Sequence, residues 1–247
     1  MTSAETKPRD LSNIVNETFR VYKANFIRLI AIVAIVGVIQ FAIGFTMGLV
    51  VPFWDWEEWV AGDIGLLIAS LVIILLSSFI LYSLMEGALI HAITEQYTKQ
   101  PVEIGRAYIF VLRRIGALLG AMLLAGIAIG AMAITIIGIP FAVYFGICWF
   151  GIPQAVILEA KNPREALSRS SDLVKNTWWR VFGILRVIVL IAGAIGSVLG
   201  ITLGLIPWVG QCLVTMLVTP IGVIGATLLY YDLVFRKEGY SLEAMTR

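Results

Sequence analysis

The sequence is poor in the residues on which soluble enzymes and metal proteins depend. Only 14% of its 247 residues are charged, and it has one histidine and two cysteines. The single histidine, His91, excludes a site with several histidine ligands, and any Ser-His-Asp or Cys-His arrangement would depend on it alone. Cys148 and Cys212 lie within apolar runs and indicate no disulfide framework. With no phosphate-binding loop and no Cys-x-x-Cys motif, we expect no cofactor, no metal and no catalytic site.

Hydrophobic residues are abundant instead. They make up 60% of the chain, and the mean hydropathy is +0.93. This composition excludes an ordinary soluble enzyme, and it excludes disorder because so apolar a chain cannot stay solvated. A helix needs roughly 20 consecutive apolar residues to cross a bilayer. We therefore predict an all-α integral membrane protein with one membrane domain, 1–247, and six transmembrane helices: Leu29 to Val51, Ile64 to Met85, Ile115 to Ile137, Phe141 to Leu158, Val181 to Ile206 and Val209 to Leu233.

The lysines and arginines indicate an orientation. With Arg186 counted at the start of span five, all 18 lie before span one, between spans two and three, between spans four and five, or after span six. Because cytoplasmic loops are rich in lysine and arginine, we expect both termini in the cytoplasm. The opposite loop, FWDWEEWVAGD, is acidic, and its three tryptophans are typical of an interfacial aromatic belt, although a binding role stays open. All the basic residues are close to the membrane, which argues against nucleic-acid binding.

The prolines predict an internal repeat. Three of them open a P-x-[DE] triplet that precedes an amphipathic helix pattern, and three others lie at outer turns in a [VI]-P-[FW] triplet; they are Pro8, Pro101 and Pro163, and Pro52, Pro140 and Pro207. The stretch VYKANFIRLI (21–30) also matches LVKNTWWRVF (173–182). We predict three parallel repeats of interfacial helix plus helical hairpin, at about 8–100, 101–162 and 163–240.

Interfacial helices would hold basic side chains at the level of the lipid headgroups. Near an anionic leaflet each such residue is worth about 1 kcal/mol. The candidate contacts with a headgroup or a protein partner are Arg28, Arg113, Arg114, Arg164, Arg169, Lys175 and Arg180. Three carboxylates, those of Glu86, Glu159 and Asp232, lie near the cytoplasmic ends of the even spans, where we expect ion pairs that hold the interfacial helices. Ordinary loops without lipid preference are the alternative.

Small and polar residues also recur within the spans. Glycines at GxxxG spacing predict close helix packing inside the monomer, with a homo-oligomer interface as the alternative: Gly116, Gly120, Gly126, Gly130, Gly196, Gly200 and Gly204. Gln40, Gln154 and Gln211 predict interhelical hydrogen bonds or, alternatively, a path for a solute. Pro153 and Pro220 are expected to kink spans four and six or to free backbone carbonyls there.

Two segments resemble a known family. The run LLYYDLVFRKEGYSLEAM (228–245) resembles the closing segment of the prokaryotic family named as the membrane domain of glycerophosphoryl diester phosphodiesterase, and LEAKNPREALSRSSDLVKNTWWRVFGI (158–184) resembles its cytoplasmic segment. The resemblance implies a multi-span protein of the prokaryotic plasma (inner) membrane. In that family the phosphodiesterase is a separate soluble domain, which these 247 residues do not include, so no catalytic residue is carried over.

Three functions stay open at this point. The first is a membrane scaffold, or a module associated with membrane lipids, anionic ones in particular, or with an unknown protein partner. The second is a transporter or channel along the pseudo-threefold axis, which would need buried charges near the midplane that the sequence does not show. The third is a lipid-processing enzyme that uses Glu86, His91 and Asp232, which requires these three side chains to converge.

Overall fold

The computed structural model describes residues 10–50, 64–97, 102–203 and 209–239. Within these ranges the chain is helical and contains no strand. Its helices are α1 (Leu11–Ala24), α2 (Phe26–Val50), α3 (Ile64–Tyr97), α4 (Ile104–Leu112), α5 (Ile115–Ala133), α6 (Ile139–Cys148), α7 (Ile152–Glu159), α8 (Pro163–Val174), α9 (Trp178–Leu203) and α10 (Val209–Glu238). Four of the repeat prolines, the tryptophan-rich loop, Gly204 and residues 240–245 of the resembling segment lie outside the described residues.

Six helical segments in the described ranges are long and apolar enough to cross a membrane. They are Phe26–Met47, Gly65–Tyr97, Ile115–Ala133, Ile139–Glu159, Trp178–Leu203 and Gly210–Glu238. The prediction of an all-α protein with six membrane-spanning segments is therefore confirmed. The second segment is longer than predicted, because α3 continues beyond Met85 with a buried apolar face formed by Leu89, Ile90 and Ile93. A short helix precedes each pair of long segments, so the order short, long, long occurs three times.

The fourth segment is broken rather than kinked. Helix α6 ends at Cys148 and α7 begins at Ile152, with Pro153 in its first turn, where the missing N–H of proline costs no hydrogen bond. Ser170 of α8 provides hydrogen-bond partners for the backbone at this break. The Gly151 N–H donates to the Ser170 Oγ at 3.1 Å, and the Ser170 hydroxyl donates to the Cys148 carbonyl at 2.7 Å. Pro220, in contrast, lies inside the continuous helix α10.

The buried core occupies one half of the bundle, which we call the packed half. It comprises α1, α4 and α8, the starts of α2, α5 and α9, and the ends of α3, α7 and α10. Its largest fully buried side chains include Leu29, Leu89, Leu118, Ile157 and Tyr230. The other half, the open half, exposes large apolar side chains, among them Phe45, Leu75, Ile127, Val198 and Leu213. In a bilayer such side chains face lipid, which solvates them as well as a protein core does.

Close glycine contacts differ from those that the GxxxG spacing predicted. A Cβ at Gly116, Gly126, Gly130 or Gly200 would meet nothing within 4 Å among the described residues, so the predicted packing inside the monomer is wrong there. Gly120 and Gly196 have one neighbouring helix each. Tight approaches to another helix occur at Gly87, where a Cβ would lie 2.8 Å from the Val111 side chain, and at Gly37, Gly151 and Gly225. Spacing alone identifies a smooth face of a helix and does not show whether a neighbour covers it.

Candidate functional site

The three short helices lie on the packed half. Helix α1 packs against α10, α4 against α3, and α8 against α5 and α7. Each has a buried face that fixes it to the long helices: Ile14 and Val21 in α1, Ala107 and Val111 in α4, and Ala166, Ser170, Leu173 and Val174 in α8. Tyrosines add directed bonds, since the Tyr22 hydroxyl donates to the Leu217 carbonyl of α10 at 2.9 Å and the Tyr108 hydroxyl to the Ile32 carbonyl of α2 at 2.6 Å. Burial raises the pKa of Tyr108 to about 12, so its hydroxyl stays protonated as a donor.

An ion cluster joins α7, α8 and α10. Arg169 donates from Nε to both carboxylate oxygens of Glu159, at 2.8 and 3.0 Å, and from Nη1 and Nη2 to Glu238 at the end of α10. The Tyr230 hydroxyl donates to Glu159 Oε1 at 2.6 Å. The hydrogen bond to Glu238, followed by the charge of Glu159, raises the pKa of Arg169 well above its usual value. Arg169 therefore acts as a permanently charged link between three helices.

Asp232 lies in a second ion cluster, between α9 and α10. Its side chain is 1% exposed, and its Oδ2 lies 2.8 Å from both Arg180 Nη1 and Arg236 Nε. The sequence analysis expected this carboxylate to hold an interfacial helix. In the structure Asp232 pairs with the first turn of the long helix α9 instead, because Arg180 follows the short helix α8 rather than belonging to it.

The carboxylate with this role on α3 is Glu95. Arg106 of α4 places Nη1 at 3.6 Å from Glu95 Oε1, and the Glu103 N–H donates to Glu95 Oε2 at 3.4 Å. Glu86, which the sequence analysis named, is two and a half turns earlier in α3 and has no ion pair among the described residues. Sequence reasoning missed Glu95 because the predicted span ended at Met85. One sequence signal could have identified it: Glu95 precedes the second P-x-[DE] triplet, as Glu159 precedes the third.

Two further hydrogen bonds and one ring contact connect α3 with α1 and α10. The Tyr97 hydroxyl donates to Glu17 Oε1 of α1 at 2.7 Å, and the hydroxyls of Thr94 and Tyr231 share a hydrogen bond of 2.7 Å. The rings of Tyr97 and Tyr231 meet edge to face with centroids 6.3 Å apart. Tyr231 belongs to the segment that resembles the family, but neither tyrosine was predicted to join helices, since periodicity does not distinguish a ring that fills the core from one that reaches another helix.

The seven basic candidates divide into two groups. Three of them hold the bundle together: Arg114 donates to the Ile157 carbonyl at 2.7 Å and lies over the Phe110 ring, and Arg169 and Arg180 pair with carboxylates as described. The other four are exposed, and their side chains have no hydrogen bond or ion pair with any described residue; they are Arg28, Arg113, Arg164 and Lys175. These four remain available to an external anion.

A cluster of aromatic side chains flanks the start of α9. The Trp178 ring stacks between Tyr144 and Phe182, with centroid distances of 5.6 and 5.3 Å, and its Nε1 donates to the Tyr144 carbonyl at 3.2 Å. Trp179 beside it is 79% exposed. The sequence analysis placed a tryptophan belt only on the opposite loop. The structure adds this second aromatic group, which belongs to the packed half.

The groups considered for a lipid-processing enzyme do not converge in the described part of the chain. The His91 ring packs on Phe110 of α4 at 4.1 Å, and its Nδ1 is 3.8 Å from Glu95, whereas Asp232 faces α9. No hydrogen bond or ion pair between described residues joins His91, Glu86 and Asp232. The described ranges also contain no group of three or more His, Cys, Asp or Glu residues that could hold a metal ion.

A comparison of the chain with protein-family models, with curated proteins and with solved structures gave no significant match.

Proposed function

We propose that this chain is a non-enzymatic multi-pass membrane module that presents a rigid basic surface to an anionic lipid leaflet. The division of the basic residues carries the proposal. Arg114, Arg169 and Arg180 stabilise the packed half from inside, and the exposed Arg28, Arg113, Arg164 and Lys175 on the same half have no partner among the described residues. A basic residue at headgroup level attracts anionic lipid by about 1 kcal/mol. The module serves as a scaffold held in a fixed pose at the membrane surface.

The proposal includes a threefold repeat within a single domain, 1–247. The packing order supports it. Each short helix packs against the second long segment of the unit before it: α4 on α3, α8 on α7, and, if the third unit is taken to precede the first, α1 on α10. The first long helix of each unit follows the same rule, since α5 packs on α3, α9 on α6 and α2 on α10. A cyclic arrangement of three equivalent units produces this pattern, whereas six unrelated helices have no reason to.

The proposal also places both termini in the cytoplasm of a prokaryotic cell, in its plasma membrane, and includes membership of the membrane-domain family that the two segments resemble. The one-sided distribution of lysine and arginine supports this orientation. We expect a cysteine at Glu57 to react with an impermeant maleimide added outside cells, and a cysteine at Arg164 to react only after lysis. Cys148 and Cys212 are replaced by alanine beforehand. Equal labelling of both positions in intact cells would contradict the orientation.

Lipid enrichment tests the functional part. The full chain is extracted from vesicles of phosphatidylcholine and phosphatidylglycerol into polymer-bounded nanodiscs, and the retained lipids are quantified. We expect phosphatidylglycerol to be enriched around the unaltered chain. Substitution of Arg28, Arg113, Arg164 and Lys175 by glutamine should remove that enrichment, while arginine-to-lysine and lysine-to-arginine exchanges at the same positions should keep it. Unchanged enrichment in the glutamine variant would overturn the proposal.

Transport along the pseudo-threefold axis is the second candidate. The observation that favours it is Gln154, which is fully buried in the packed half and whose amide O and N have no hydrogen bond to another described residue. The other two glutamines of the sequence analysis support it less: Gln40 donates to Ser78 and leaves only its buried Oε1 without a partner among the described residues, and Gln211 is exposed. If Gln154 lines a path, Gln154→Leu should abolish solute uptake into proteoliposomes. If it does not, this variant should unfold at higher detergent concentration, because an unpaired buried amide costs about 1–3 kcal/mol.

A further inference from the structure

The connection between α1 and α2 is a tight elbow with one buried side. Val21, Asn25 and Leu29 follow one another at a spacing of four residues, and all three are buried. Tyr22 fixes the elbow, since its hydroxyl bonds to α10 and its ring meets Phe26 edge to face at a centroid distance of 5.3 Å. The backbone here is therefore held in one conformation.

The opposite side of this elbow is exposed and combines apolar with basic side chains. Ile27 is 81% exposed and Phe26 is 41% exposed, and the basic side chains of Lys23 and Arg28 on either side of them are exposed as well. Neither cation has a hydrogen bond or ion pair with a described residue, and residues 18–30 contain no acidic residue beside them.

The three elbows differ in how many of their basic side chains are paired. The stretches VYKANFIRLI and LVKNTWWRVF place a lysine and an arginine five residues apart in both elbows. In the elbow between α8 and α9 the arginine is Arg180, which Asp232 holds at 2.8 Å, so only Lys175 is unpaired. In the elbow between α4 and α5 Arg114 is bonded to the Ile157 carbonyl, so only Arg113 is unpaired. Among the described residues, only the first of the three elbows leaves two unpaired cations and an exposed aliphatic side chain together.

We propose that the elbow formed by Lys23, Phe26, Ile27 and Arg28 is the principal binding site for the phosphate of an anionic phospholipid. The two cations bind the phosphate, and Ile27 lies against the acyl chains below it. The exposed Ile27 commits the site to a lipid, because a free phosphate ion gains nothing from an apolar side chain. This inference rests on the proposed function and names the place where the first lipid binds.

Native mass spectrometry of the detergent-solubilised full chain measures the dissociation constant of the first bound phosphatidylglycerol. We expect Lys23→Gln with Arg28→Gln to weaken it about 30-fold, because two basic residues contribute about 1 kcal/mol each and 1.4 kcal/mol corresponds to tenfold. The matched control, Arg113→Gln with Lys175→Gln, removes the same charge from the other two elbows and should weaken it less than about 3-fold. Circular dichroism of both variants checks that each retains its helices.

Two further arms separate the possible outcomes. Ile27→Asn should weaken phosphatidylglycerol several-fold, and inorganic phosphate should not displace the lipid; displacement by phosphate with no effect of Ile27→Asn would overturn the lipid assignment. Equal losses in the two double variants would overturn the special role of the first elbow. If these losses are equal while the four-residue variant still loses lipid enrichment, the inference fails and the proposed function stands. If neither double variant nor the four-residue variant changes binding, both fail.

Discussion

In the packed half polar side chains join different helices, whereas in the open half most of them bond to the helix that carries them. Glu159, Arg169, Tyr230, Tyr97 and Tyr231 all reach a second helix. The hydroxyls of the open half return to a carbonyl three or four residues earlier: Thr46, Ser197, Thr202 and Thr215. Lipid gives helices little hydrophobic reason to associate, so directed bonds and close packing decide where they meet. The bundle is therefore cohesive at one end, and the hairpins remain more independent at the other.

The strongest test of this comparison is Arg169→Ala. The substitution leaves the carboxylates of Glu159 and Glu238 near each other without their shared cation. We expect a loss of about 2–3 kcal/mol in the free energy of unfolding, less than for a fully buried pair because all three groups are partly exposed. Unfolding by SDS in mixed micelles measures it. Arg164→Ala, on the exposed face of the same helix, should change stability by less than about 0.5 kcal/mol, and equal losses would contradict the role of Arg169.

Ser170→Ala tests the broken fourth segment. Without the hydroxyl, the Gly151 N–H and the Cys148 carbonyl lose their partner in a buried place. We expect a loss of about 2 kcal/mol, because an unpaired buried polar group costs about 1–3 kcal/mol. The control is Ser168→Ala, two residues earlier on the exposed side of α8. If the same titration shows no loss of stability for Ser170→Ala, another group bonds to the Gly151 N–H and the Cys148 carbonyl in its place.

Alanine at two glycines should act in opposite directions. The Cβ of Gly87→Ala would lie 2.8 Å from the stiff, branched side chain of Val111, and we expect a loss of about 1–2 kcal/mol from overpacking. Gly126→Ala on α5 meets open space, so it should gain up to about 1 kcal/mol through helix propensity. Thermal unfolding of the two variants should show shifts of opposite sign. The same sign for both would remove the distinction between covered and uncovered glycines.

The smallest effect concerns the open half. Gln40 donates from Nε2 to the Ser78 Oγ at 2.9 Å, a side-chain bond between α2 and α3. Gln40→Leu should lower stability by at most about 0.6 kcal/mol, the average for such bonds in membranes, because it also removes the buried Oε1, which has no partner among the described residues. Thr215→Val removes a hydroxyl that serves only its own helix, and we expect no measurable change from it. A large loss from Gln40→Leu would show that the open half depends on this bond.

The sequence was sufficient to predict the six membrane-spanning segments, because the length of an apolar run is a local property of the chain. It was not sufficient to predict the extension of α3 or the break at residues 149–151, which depend on neighbours such as α8. The candidate site divides in the same way. Arg28 and Arg180 occupy matching positions in matching stretches, and only the position of Asp232 on another helix makes one internal and leaves the other exposed.

The serine bridge across the fourth segment has a consequence for biosynthesis. As the chain leaves the ribosome, α6 and α7 are complete before Ser170 has been made, so at that stage the Cys148 carbonyl and the Gly151 amide have not yet met their later partner. Backbone polar groups without hydrogen-bond partners are costly in the hydrocarbon core of a bilayer. We therefore expect this segment to stay at the translocon or in contact with water until α8 has been made. Insertion of the fourth segment is thereby coupled to the synthesis of residues that follow it.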